Sequence, residues 1–303
     1  MTRLPAGLDP TPGDRGVASA DAQQAGQRAL AAWDAFLTVA EAADLSAPAR
    51  AKGRTGREVV LPLGSWPESR SLDEVLDDAR HGRLAAHHDQ DEVDERVRAA
   101  HRDAGDAEAL DAVRAARDNL AGWLAAGDPE GLALRETRSV LGPLPVLTYL
   151  HATAYHLAVC ALDLEPCGTR ADPALLTAGV IALVDTTGAL AARQGVTGSI
   201  TAVLPHGTWG FASRGPDWRT ARLSDGAPTG PAVEADPRVI VDVTAGRVAN
   251  VPHLWRRREL VTHDLPGLLR LAPVIEQVPG IPGGLALRTA SRYLGAVGWL
   301  LRR

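Results

Sequence analysis

The stretch Pro145 to Leu164, PVLTYLHATAYHLAVCALDL, limits what this chain can fold into more than any other. Leu150, Ala154, Leu157, Ala161 and Leu164 recur at steps of four and three, which lines one face of a helix and predicts a buried stripe. Beside it, His156, Cys160 and Asp163 stand at i, i+4 and i+7 and share a second face. A neutral imidazole and a thiolate one helical turn apart can reach the same ion, so His156 and Cys160 are candidate ligands for a divalent metal such as zinc. The alternative is that both are core residues, since free cysteine is among the most buried side chains. His151, turned by about 140° from His156, is not expected to join them.

A helix this apolar needs partners, and the rest of the chain offers them. Residues 1–20, rich in Pro, Gly and Asp, are expected to be a disordered lead-in. From Asp21, an apolar face of Leu30, Trp33, Leu37, Ala40 and Leu45 marks a helix that Ser46 to Pro48 end. Thr55 caps a second helix through Val59, Val60 and Leu63, in which Pro62 is tolerable only in the first turn or at a kink. Ala107 to Ala126 forms another, and with Pro145 to Leu164 these predict an antiparallel four-helix bundle over residues 21–170. Between them, the charged run from Ser71 to His101 reads as a solvated helix face or a mobile connection. His81 and His88 are expected in solvent, and the adjacent His87 and His88 diverge.

Residues 171–303 change character. Asp172 and Pro173 start a helix that runs to about Arg193, after which the apolar period falls from about 3.6 to 2. Ser199 to Leu204, Thr208 to Ser213, Asp217 to Leu223 and Arg238 to Val243 read as strands. A short strand Glu259 to Thr262, an apolar helix near Leu265 to Val278, and a C-terminal helix Leu285 to Arg303 docked on the protein complete an α + α/β two-domain fold.

Composition narrows the function. A net charge of −5 argues against broad attraction to nucleic acid. The only lysine is Lys52, in a polar loop, which leaves Schiff-base chemistry little to work with. Cys160 and Cys167 fit reduced thiols in a cytoplasm better than a disulfide framework. MTRLPAGLDPTPGDRG lacks the apolar centre of a signal peptide, and no apolar run is read as approaching the roughly 20 residues of a membrane span. No Gly-rich phosphate loop, nucleophile elbow or HExxH is present, so nucleotide hydrolysis and the familiar hydrolase classes lack support.

Gly53 to Glu68, GRTGREVVLPLGSWPE, with the later HLAVCALDL, resembles the DinB-like four-helix bundle of the mycothiol-dependent maleylpyruvate isomerases. The strands and helices after Asp172 are similar to a sterol-carrier-protein-like domain, a mixed sheet packed by helices that often follows the bundle in that family. Together the two resemblances cover about residues 25–280. They imply a divalent metal held by His, Glu and His, and mycothiol as a thiol cofactor. Those three ligand positions fall here on Pro62, His156 and Cys160, whereas Asp163 and Leu164 match.

Two functions stay open on this sequence. One is an isomerase or thiol transferase working through an altered site at His156 and Cys160. The other is a non-catalytic relative that binds a small apolar or thiol-bearing ligand. Arg256, Arg257 and Arg258, beside His253 and Trp255, are candidates for binding an anionic thiol cofactor or a carboxylate, because guanidinium forks suit carboxylates. The alternative there is a solvated basic edge.

Overall fold

A computed structural model of the chain describes residues 4–5, 7–84, 90–224, 230–248, 250–270 and 274. In chain order the elements are α1 (Gly16–Ala20), α2 (Ala22–Glu41), α3 (Gly56–Val60), α4 (Leu72–His81), α5 (Gln90–Ala100) and α6 (Asp106–Ala125). A small ladder, β1 (Glu136–Thr137) and β2 (Leu144–Pro145), precedes α7 (Val146–Asp163) and α8 (Pro173–Arg193). Then come β3 (Gly198–Leu204), β4 (Gly207–Arg214), β5 (Asp217–Leu223), β6 (Ala232–Ala235), α9 (Pro237–Thr244), α10 (Val251–Arg256), β7 (Leu260–His263) and α11 (Leu265–Arg270). The chain divides into a helical unit, Ala22–Gly179, and a sheet unit made of Met1–Asp21 with Val180–Arg303. The division falls inside α8, later than the expected boundary at residue 170, because that helix runs unbroken from its Asp172 cap.

The helical unit is built around α7, whose Leu150, Ala154, Leu157, Ala161 and Leu164 are all buried. The spacing of four and three therefore marks the core face, as expected. α2 packs against α7 and α6, burying Ala25, Ala29 and Phe36, and α3 lies against the same two helices. α3 begins with a capping box: Thr55 Oγ1 accepts the Glu58 N–H at 3.3 Å, and the Glu58 carboxylate accepts the Thr55 N–H at 2.8 Å. It ends after one turn because Pro62 tightens the chain into a 3-10 turn, Leu61–Leu63, where a missing N–H costs little. The charged run 71–101 holds two helices, each with a buried edge: Val75 and Ala79 on α4, Val93 and Val97 on α5. A Gly in the left-handed region, Gly82 at φ 63°, stops α4.

The sheet unit is a five-stranded mixed sheet in the order β5-β4-β3-β6-β7, with β3 and β6 parallel and the other neighbours antiparallel. Register sorts its faces. Ile200 pairs with Phe211, Phe211 with Thr220, and Ser213 with Trp218, so Phe211 and Trp218 share a side. α8 covers that side closely enough to require Gly188, where a Cβ would lie 2.7 Å from Trp218 Cδ1 and 3.1 Å from Phe211 Cβ. By length and composition α8 could span a membrane, against the expectation that no run approached that length; most of it is buried in the protein as a core helix.

Two expectations fail here. Arg238 to Val243 is helical (α9), not a strand. Asp236 caps it, accepting the Arg238 N–H at 2.8 Å, and Pro237 holds the first helical position, so a helix start overrides the alternating valines. The lead-in is also ordered over its described residues, 4–5 and 7–20. Leu8 is fully buried, Trp218 N–H meets the Asp14 carbonyl at 3.3 Å, and Arg15 pairs with Asp217 at 2.6 Å. Gly16 then passes at φ +61° against Asp185, where a Cβ would sit 1.9 Å from the carboxylate oxygen. The expected helix Leu285 to Arg303, and residues 271–273 and 275–278 of the expected helix before it, lie outside the described residues.

Candidate functional site

On α7, Cys160 and Asp163 are buried and His156 is half-buried. Pro62, in its 3-10 turn, carries only a pyrrolidine ring and offers no side-chain donor. Among the described residues no three His, Cys, Asp or Glu side chains gather to hold a metal ion. Protein zinc sites use three or four protein donors, and Pro62, His156 and Cys160 provide two, so this donor set does not fit the divalent metal that the resemblance implies. His81 is exposed and sits 3.1 Å from Asp77, while His87 and His88 lie outside the described residues.

Two further titratable groups of the helical unit, His151 and Cys167, are held in unreactive forms. His151 is fully buried; burial, aided by the positive charge of Arg28, pushes its imidazole down to about 4, so it is neutral at pH 7. Burial, with the nearby Asp44 charge, also pushes the Cys167 thiol up, which disfavours the reactive thiolate. In the sheet unit Arg256, Arg257 and Arg258 are all exposed where α10 ends. Arg257 approaches Glu259 at 3.8 Å, and Arg258 turns the chain at φ 58°.

A heavily built polar cluster around Asp78 was not visible in the sequence. Asp78 projects from α4 with its side chain 2% exposed, and three guanidiniums surround it. Arg70 Nη2 approaches at 2.8 Å, Arg83 Nε at 3.1 Å and Arg138 Nε at 2.6 Å. Burial alone would raise the Asp78 carboxyl. Hydrogen bonds from Arg83 and Arg70 and the charge of Arg138 outweigh it and hold the group below the usual carboxylate range.

Arg70, 4% exposed, also gives Nη1 to the Arg138 carbonyl at 2.6 Å and Nη2 to Thr137 Oγ1 at 2.8 Å. Its guanidinium carbon lies 5.2 Å from the centre of the Tyr149 ring. Thr137 is fixed in turn by donating to the Val75 carbonyl at 3.0 Å. The cluster thus joins α4, β1 and α7. Residues 70, 78 and 138 share no local spacing, so only the fold brings them together.

No family model matches this sequence, and no curated protein matches it. Among solved structures the chain is similar to a histidine-to-alanine variant of a mycothiol-dependent maleylpyruvate isomerase, with 12% identity and a TM-score of 0.49 over 75% of this chain and 90% of that one. A second structure of a mycothiol-dependent maleylpyruvate isomerase gives 13% identity and a TM-score of 0.43 over 75% and 90% of the two chains. These bear the name of the family that the sequence resembles, but likenesses this loose carry no argument about activity.

Proposed function

We propose that this chain is a cytoplasmic, small-molecule-binding relative of the mycothiol-dependent maleylpyruvate isomerases that has lost their metal centre. In this reading the helical unit is a DinB-like bundle and the sheet unit a sterol-carrier-like receptacle for a small apolar or thiol-bearing ligand. One observation carries it. Of the three positions that the resemblance assigns to metal ligands, Pro62 has no donor and is built into a 3-10 turn, which leaves only His156 and Cys160. Cys160 and Cys167 are buried thiols rather than a disulfide, which agrees with a reducing compartment.

The competing reading is an active thiol-dependent isomerase or transferase that uses a modified site at His156 and Cys160; their position one turn apart on α7 is its support. Elemental analysis of the purified protein separates the two. The expected result is no stoichiometric zinc and no maleylpyruvate isomerisation in the presence of mycothiol. About one metal per chain, lost in His156→Ala, would overturn the proposal and favour the enzyme.

A further inference from the structure

The guanidinium cluster around Asp78 has more cation than its own carboxylates can use. Arg70, Arg83 and Arg138 converge on Asp78, while the neighbouring Asp77 and Glu130 are engaged by Arg80 and Arg83. That sets four guanidiniums against three carboxylates, with the excess beside the most buried member. A cluster serving packing alone is expected to be balanced in charge and bonded throughout, since each buried ion must recover its lost hydration.

This cluster is not bonded throughout. Arg70 Nε and Arg138 Nε are both buried and neither makes a hydrogen bond; the 2.6 Å approach of Arg138 to Asp78 is a charge contact without hydrogen-bond alignment. A buried N–H of a charged side chain that lacks an aligned acceptor is a place where an ion or water can bind. The Arg138 side chain is 31% exposed, so solutes can reach it, and its fork suits the paired oxygens of a carboxylate or phosphate; Arg70, whose Nη1 and Nη2 are bonded to Arg138, Asp78 and Thr137, adds its Nε alone.

We propose that Arg138 and Arg70, with Arg83 at the rim, form a binding site for the oxyanion group of a small ligand, in the helical unit and apart from the positions of the lost metal. Arg138 makes first contact from solvent. Arg70, held by Thr137 and Asp78 and lying over the Tyr149 ring, offers its Nε as the preset donor.

Calorimetric titration of the full chain with inorganic phosphate, and separately with acetate, tests this, with sodium chloride at matched ionic strength as the control. Saturable binding of phosphate or acetate is expected, and the better of the two tells a phosphoryl from a carboxylate ligand. Arg138→Gln should weaken it at least tenfold while the far-ultraviolet dichroism stays unchanged. Arg83→Gln, at a half-exposed side chain, should weaken it severalfold and serves if Arg138→Gln does not fold. Binding lost instead in the combined Arg256→Gln, Arg257→Gln and Arg258→Gln variant, and kept in Arg138→Gln, would move the oxyanion site to the end of α10 and overturn this one. Heat indistinguishable from that of chloride, or folded variants at 138 and 83 that bind like the parent, overturns the site. Such a failure leaves the metal analysis at Pro62, His156 and Cys160 unaffected.

Discussion

Asp78 in the helical unit and Asp185 in the sheet unit are both buried carboxylates, and the chain handles them differently. Asp78 is surrounded by charge: three arginines for one anion. Asp185, on α8, accepts uncharged N–H groups, the Trp218 indole and the Val17 backbone, each at 3.1 Å. The first arrangement leaves positive charge to spare, which makes a site. The second spends its carboxylate on a clasp that fixes α1 to a helix 168 positions away. Burial of an acid is thus no sign of function by itself; the surplus of the groups around it is.

Removing the acids should expose this difference most. Asp78→Ala leaves the Arg70 charge buried without its counter-ion, and a loss of about 3–5 kcal/mol is expected for the helical unit. Urea titration gives the size, and hydrogen exchange resolved by peptide gives the place. A loss under about 1 kcal/mol would mean that water reaches Arg70 and that the cluster is a surface network.

Asp185→Ala strands two buried donors, and a loss of about 2–4 kcal/mol is expected, with faster exchange in residues 14–20 and around Trp218. Asp185→Asn keeps an accepting oxygen and should lose much less. Equal losses in the two variants would show that the negative charge, not the accepting atom, holds the clasp.

Acid should separate the two units more gently. His151 falls from 6.5 to about 4 on folding, so below pH 6.5 the unfolded chain takes up a proton that the folded one refuses. Stability therefore drops as pH falls from 6.5 towards 4, by up to about 3 kcal/mol at the lower end. Asp78 acts in the same sense further down: its lowered carboxyl contributes stability above 3.8 that is lost as pH falls through its folded value. Both groups lie in the helical unit, which should lose exchange protection first in acid. His151→Gln should flatten the stability profile between pH 6.5 and 4; an unchanged slope would assign that dependence to the surface carboxylates.

How much could be read beforehand follows from the range of each interaction. The helices α2, α6, α7 and α8, the capped turn at Thr55 and the strands β3, β4 and β5 were legible because their signals are local: apolar spacing, a cap, a proline, an alternation. The failure at Arg238 to Val243 was also local. Alternating β-branched residues favoured a strand, while Asp236 and Pro237 directed a helix start, and the sheet was completed by β6, Ala232–Ala235, instead. On the candidate sites, the sequence placed His156 and Cys160 on one helix and left the Arg70 and Asp78 cluster unseen.

The amino-acid order by itself determined where chain segments coil, where most of them stop, and that Pro62 cannot hold a metal, since a pyrrolidine ring lacks a donor in any fold. Tertiary structure decided what the polar residues do. It ordered a lead-in whose Pro, Gly and Asp content suggested disorder, by burying Leu8 and clasping Val17 to Asp185. It also made Arg70 a buried cation by setting Asp78, Thr137 and Tyr149 around it. A charge is tolerated in a core only when partners replace its lost water, and partners drawn from distant segments leave no period in the sequence.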